Sequence, residues 1–211
     1  MIQNMCSIFG SFDKSKIGEL AVLNQHRGTF SYSLTQDKRT CKDFGEFDPL
    51  VIDTVKSTNS YMIGHVQAPT GGMVEDFNRI HPTSIGSSLL WHNGLLTPRG
   101  IKHLQDSLKV EESFDTKLLH EHLVKNNFTG LSEIEGLFTC VLKLGEDYYI
   151  FRTKHGKLYV NDNLDISSEK FEGSKCINYD TIYKMDFERM KLMEVSYFKT
   201  KRFNYIIEGE L

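Results

Sequence analysis

The chain has 211 residues but only four cysteines, four prolines and one tryptophan. Cys6, Cys41, Cys140 and Cys176 are far apart and form no Cys-x-x-Cys pair. That spacing argues against a zinc ribbon, a thioredoxin-like site and a disulfide framework. Neither sign of charge dominates, with 25 Lys+Arg against 28 Asp+Glu and a net charge of −3. Such a balance gives no general drive toward nucleic acid or a membrane surface. No apolar run reaches membrane-spanning length. The first residues lack the basic and apolar regions of a secretory signal. Internal repeats, low-complexity segments and an interdomain linker are also missing. The expectation is a cytoplasmic chain in which residues 6–211 form one domain behind a leader, residues 1–5.

What is present suits a packed core: 39% of the residues are hydrophobic and 25% charged. Residues 6–9 read as a short apolar strand closed by Gly10. Asp13 is placed to cap a helix over 14–25. Residues 30–34 alternate as a strand does, whereas 39–59 are polar and read as irregular. A strand over 61–66 and a loop over 69–79 follow. A further strand over 85–92 is expected to end at the turn dipeptide Asn93-Gly94. Thr97-Pro98 is a helix start, cap then first-turn proline, for a helix to about 108. Asp115 heads another helix and is also suited to cap it. Residues 137–144 and 148–152 read as a hairpin around Gly145-Glu146-Asp147. Strands follow near 157–160 and through the tail from 182 to 207. Cys140 reads as a buried strand thiol. Helices among many short strands give an α+β class.

The chemistry starts at Met5-Cys6. If residues 1–5 are removed, Cys6 becomes residue one and carries a thiol and a free α-amine. Those are a nucleophile and a base in one residue. His120-Glu121-His122 does not make a metal site, because positions i and i+2 of a helix face different ways. His65 and His81 read as structural. No metal or cofactor is expected.

Five ordered runs carry a resemblance: Met5-Cys6-Ser7-Ile8-Phe9-Gly10, His26-Arg27-Gly28, Gly64-His65-Val66-Gln67-Ala68-Pro69-Thr70, His92-Asn93-Gly94 and Asp115-Thr116. With Glu135-Gly136-Leu137-Phe138-Thr139-Cys140-Val141 and Lys157-Leu158-Tyr159, they resemble the glutaminase domain of class II glutamine amidotransferases over roughly residues 5–165. The resemblance implies a four-layer α-β-β-α sandwich of the N-terminal nucleophile hydrolase type. It implies Cys6 as the nucleophile that releases ammonia from the glutamine side-chain amide through a thioester. Asn93 and Gly94 would form the oxyanion hole. Arg27, Gln67, Thr70 and Asp115 would bind substrate, with Asp115 pairing the α-ammonium. A separate ammonia-accepting synthetase is the implied partner.

Three positions depart from that pattern. A four-residue segment precedes Met5. Ser7 stands where the family usually has glycine. Gln67 stands where the family has an arginine for the glutamine α-carboxylate; Arg79 and Arg99 are candidates to replace its charge. These departures keep two alternatives open: an amidohydrolase acting on another γ-glutamyl or amide substrate, and an inactive scaffold that binds a partner.

Overall fold

The computed structural model describes residues 6–55, 60–68 and 75–201. Its strands are β1 (Ser7–Ser11), β2 (Ser31–Gln36), β3 (Arg39–Phe44), β4 (Met62–Gln67), β5 (Thr83–Ile85), β6 (Ser88–Leu96), β7 (Gly136–Leu144), β8 (Asp147–Arg152), β9 (Tyr159–Val160), β10 (Ile166–Ser167), β11 (Lys175–Cys176), β12 (Thr181–Asp186) and β13 (Lys191–Tyr197). The helices are α1 (Lys14–Asn24), α2 (Pro98–Leu108) and α3 (Asp115–Asn126). One sheet runs β11-β9-β10-β1-β4-β2-β3 and the other β13-β12-β8-β7-β6-β5. Neighbouring strands pair antiparallel throughout.

Side-chain alternation along the strands sets the layers. Phe9, Leu34, Met62 and Val66 face α1, where they meet Ile17, Leu20 and Ala21. Their strand neighbours Ile8 and Ile63 face the other way and meet Trp91, Val141 and Ile150 of the second sheet. Leu90, Phe138, Cys140 and Leu142 leave that sheet on its far side and pack on Leu104, Leu118, Leu119 and Leu123 of α2 and α3. The order is helix, sheet, sheet, helices: an α+β sandwich of four layers.

Local chemistry fixes the helix starts. The Asp13 carboxylate accepts from the Ser15 and Lys16 amides. Thr97 Oγ1 accepts from Gly100 N at 3.1 Å, with Pro98 in the first turn.

The structure corrects four sequence-based expectations. Asn93-Gly94 is not a turn. β6 continues through it to Leu96, because Asn93 pairs with Thr139 and Gly94 with Phe138 of β7. The turn lies earlier, at Gly86-Ser87 between β5 and β6, so the expected strand over 85–92 is the junction of two. The polar run 39–59 contains β3, an edge strand whose charged residues hide the alternation. Asp115 is the first residue of α3 rather than its cap. Phe114 holds the cap position and makes no side-chain cap bond.

Trp91 is fully buried between the sheets, so its fluorescence reports on that layer. Ile150→Ala, in the same layer, is expected to cost about 2–5 kcal/mol. Val22→Ala, at a site 74% exposed, is expected to stay within about 0.5 kcal/mol of the parent. Urea titration followed by Trp91 emission checks both.

Candidate functional site

Cys6 immediately precedes β1. The pairing of Ser7 with Val66 sets it beside the end of β4, where Gln67 and Ala68 lie. Arg27 Nε donates to the Cys6 carbonyl at 3.3 Å, and Arg27 Nη1 pairs with Glu169 Oε1 at 2.5 Å. Gly28 lets this segment approach β4 closely; a Cβ there would fall 2.5 Å from the Gln67 carbonyl carbon.

The Cys6 residue is 8% exposed. Burial pushes its thiol up to about 11, and the nearby Asp115 carboxylate adds to the rise. A backbone hydrogen bond from Ala68 and the charge of Arg27 oppose it without cancelling it. Cys6, Arg27, Ala68 and Asp115 therefore share one neighbourhood. With its amine in a peptide bond, the thiol stays protonated near neutral pH.

Asn93 is joined to the Cys6 strand by Ser168. Ser168 Oγ accepts from Ile8 N at 3.0 Å and from Asn93 Nδ2 at 3.1 Å. Ser168 N returns a bond to the Ile8 carbonyl at 2.8 Å. Asn93 Oδ1 is buried without a partner among the described residues. Gly94 is pressed against β7: a Cβ would sit 1.9 Å from the Leu137 carbonyl oxygen, at φ +155°. Any side chain at that position would force β6 and β7 apart.

The bulk added by Ser7 is accommodated. Its hydroxyl donates to Asn24 Oδ1, and Asn24 Nδ2 bonds the Leu20 carbonyl at 2.7 Å and Ser167 Oγ at 2.8 Å. Gln67 is likewise engaged. Its Oε1 accepts from Ser31 Oγ at 2.9 Å, and its Nε2 donates to the Arg79 carbonyl at 3.2 Å. The Arg79 guanidinium lies 5.8 Å from the Phe114 ring centroid and 3.4 Å from Ser113 Oγ. Arg99 is exposed on α2. Thr70 and residues 1–5 lie outside the described residues.

Asp115 is held from two sides. Oδ2 accepts from Leu96 N at 3.2 Å and Oδ1 from Thr116 N at 2.7 Å. Beneath it is a buried histidine array. Thr116 Oγ1 lies 3.0 Å from both His81 Nε2 and His92 Nδ1. His81 stacks on His65 with centroids 4.2 Å apart. His65 Nε2 meets the His92 carbonyl at 3.2 Å, and a carbonyl only accepts, so that nitrogen carries the proton. Lys42 closes the array from β3, donating to the Ile80 carbonyl at 2.5 Å and the Pro82 carbonyl at 2.8 Å. Burial pushes the Lys42 amine down to about 8. Farther along α3, His120 bonds Thr83 and Ser88, each at 2.8 Å. Among the described residues no three His, Cys, Asp or Glu side chains are grouped to hold a metal.

Ser168, Glu169, Asn24 and Ser31 are the site-supporting residues that sequence reasoning passed over. Ser167-Ser168-Glu169 looks like loop sequence; the apolar-polar alternation before it is too short to mark β10.

No protein-family model matches the chain, and no curated protein matches it. Solved structures do. The glutamine phosphoribosylpyrophosphate amidotransferase of B. subtilis, complexed with ADP and GMP, superposes with a TM-score of 0.62 and 17% identity over 90% of this chain. A structure described as the allosteric regulatory enzyme of purine biosynthesis gives 0.65 and 18%, also over 90%. The chain spans about half of each, 48% of their length. A glutamine aminotransferase class-II domain protein from Silicibacter pomeroyi gives 0.54 and 13%, covering 92% of this chain and 99% of its own. The fold is that of the class II glutamine amidotransferase domain, two antiparallel sheets packed face to face between helices. Among the described residues no helix is long and apolar enough to cross a membrane.

Two outcomes follow from burial. Iodoacetamide near pH 8 is expected to modify the exposed Cys41 and Cys176 and to spare Cys6 in the full chain, as read by peptide mass. Rapid labelling of Cys6 would contradict the buried, protonated thiol. The histidines set an acid limit. Burial holds His65 at about 3 and His120 at about 4, and keeps His81 well below its ordinary value. Unfolded histidines protonate near 6.5, so the unfolded state binds more protons below that pH. The stability from these rings is full above about 6.5 and falls as pH drops toward 4. Near pH 5 His65 and His120 together contribute a slope of about 3 kcal/mol per pH unit. Histidine ring NMR should show these two unprotonated at pH 5 in the folded protein.

Proposed function

We propose that this chain is a class II glutamine amidotransferase-type hydrolase with Cys6 as its nucleophile once residues 1–5 are gone. The observation that carries the reading is the placing of Cys6 at the start of β1, held by Arg27 and beside the end of β4, with Asn93 tied to the same strand through Ser168 and the Asp115 carboxylate near enough for its charge to act on the thiol. The fold supports it independently.

In this reading the freed α-amine, with a pKa near 7.7–8.0, takes the Cys6 thiol proton. It thereby supplies the base that the buried thiol lacks. The thiolate attacks the side-chain amide carbon of glutamine. Negative charge on the former carbonyl oxygen is met by Asn93 Nδ2 and the Gly94 N–H. The ammonium form of the α-amine returns the proton to the leaving nitrogen, the C–N bond breaks, and ammonia departs. Water then cleaves the γ-glutamyl thioester, giving glutamate and the free thiol. A separate acceptor enzyme takes the ammonia, which in water near neutral pH is mostly protonated and unreactive.

Arg79 replaces the missing carboxylate anchor. The Gln67 amide holds the Arg79 backbone, and the Arg79 guanidinium lies over Phe114, one residue before Asp115. A cation and an acid so placed suit the carboxylate and ammonium of an α-amino acid. Arg27 is less suited, because Glu169 already neutralises it.

A chain starting at Cys6 is expected to hydrolyse glutamine; the full chain with residues 1–5 attached, and Cys6→Ala, are not. Arg79→Gln is expected to raise KM for glutamine by roughly 10–150-fold, the loss of a charge-assisted bond of about 1.5–3 kcal/mol, with kcat changed little. The neutral Gln67 also favours the second reading, an amidohydrolase on substrates without a free α-carboxylate. Steady-state kinetics decide between them: a γ-glutamyl substrate with its α-carboxylate blocked, turned over faster than glutamine and unaffected by Arg79→Gln, would sink the glutamine assignment.

A further inference from the structure

The tips of two hairpins, one from each sheet, border a half-open cavity of about 700 Å³. One tip is Asp37-Lys38 between β2 and β3; the other is at Glu146 between β7 and β8. Ser31, at one end of β2, pairs with Gln67 beside Cys6, and Gln36, at the other end, pairs with Met62. The cavity therefore lies about 17 Å from the Cys6 end, one six-residue strand away.

Lys143 lines this cavity and is only 6% exposed. It stands two residues after Val141 on β7, so it shares the face turned toward the other sheet. Its Nζ lies 5.3 Å from the Tyr148 ring centroid. No ion pair joins it to a carboxylate among the described residues. Its stem is covered by the surrounding strands, while the ammonium keeps access to the cavity and is not sealed among apolar groups. The Tyr148 ring lies against that ammonium without using up its capacity for an anion. Lys38 and Arg39 add two exposed cations at the rim, and Asp37 and Glu146 add two acids. Among the described lining residues three cations meet two acids, an excess of one positive charge. That excess suits a small anion and disfavours a polyanion, which both acids would repel.

We propose that this cavity binds a small molecule bearing a phosphate or carboxylate group, whose charge is met by Lys143 at the floor and by Lys38 and Arg39 at the rim. The site is independent of the chemistry at Cys6. Neither the fold nor the proposed reaction requires it.

The test uses the full chain, labelled with 15N-lysine, and two probes at constant ionic strength: inorganic phosphate and succinate. The Lys143 ammonium resonance is expected to shift and saturate with at least one of them, and that probe is expected to raise the melting temperature. A response to phosphate alone assigns a phosphate ligand, to succinate alone a carboxylate ligand, and to both a general anion site. Lys143→Met keeps the length of the side chain and removes its charge; it is expected to weaken probe binding at least about tenfold and to abolish the thermal shift. Should Lys143→Met fail to fold, Arg39→Ser, at an exposed position, is expected to weaken the same response. A Lys143 resonance unmoved by both probes would overturn the proposal, as would probe binding unchanged in folded Lys143→Met.

Discussion

The site depends on one hydroxyl. Ser168 Oγ takes a hydrogen bond from the β1 backbone at Ile8 and another from the side chain of Asn93 on β6. β1 and β6 belong to different sheets. Apart from the bond of His65 to the His92 carbonyl, the contacts between those sheets are mainly apolar, and apolar contacts are non-directional. A buried bond pair has a fixed length and angle. Ser168 thus gives the two sheets a defined register where the Cys6 strand meets the Asn93 strand. Losing it would leave the Asn93 amide and the Ile8 N–H unpaired in a buried place, at about 1–3 kcal/mol each.

The surroundings are polar yet uncharged in the interior. His65, His81 and His92 are held neutral by burial, and Thr116 joins two of them to the base of Asp115. Neutral rings can stack and share hydrogen bonds without the cost of buried like charges. The arrangement fixes the first turn of α3 against β6 and so fixes Asp115. Charge lies in Arg27 with Glu169, in Arg79 and in the Asp115 carboxylate. That leaves the thiol of Cys6 in a neighbourhood that disfavours the thiolate until a base arrives.

Much of this was legible in the sequence. The caps at Asp13 and Thr97, the hairpin at Gly145 and the buried strand at Cys140 are local features with local signals. The class of the fold followed from five short runs in order. The errors were tertiary. Asn93-Gly94 obeys the local rule for a turn, but eight pairs with β7 hold β6 straight through it. β3 carries Arg39, Lys42 and Asp43, which suit a solvent-facing edge and conceal a strand. Ser168 and Glu169 act across 160 and 142 residues of sequence, a separation at which no spacing rule applies. Gln67 was read as a lost arginine; its two bonds give it a structural part as well, holding the backbone of the arginine proposed to stand in.

The central claim is that Cys6 becomes a nucleophile when it becomes residue one. Acid quenching of a chain beginning at Cys6 during turnover of glutamine, followed by peptide mass analysis, addresses it directly. The account predicts a γ-glutamyl adduct on the peptide that starts at Cys6, and none on the full chain. A folded chain beginning at Cys6 that hydrolyses glutamine with no adduct there, or with the adduct on another residue, would contradict it.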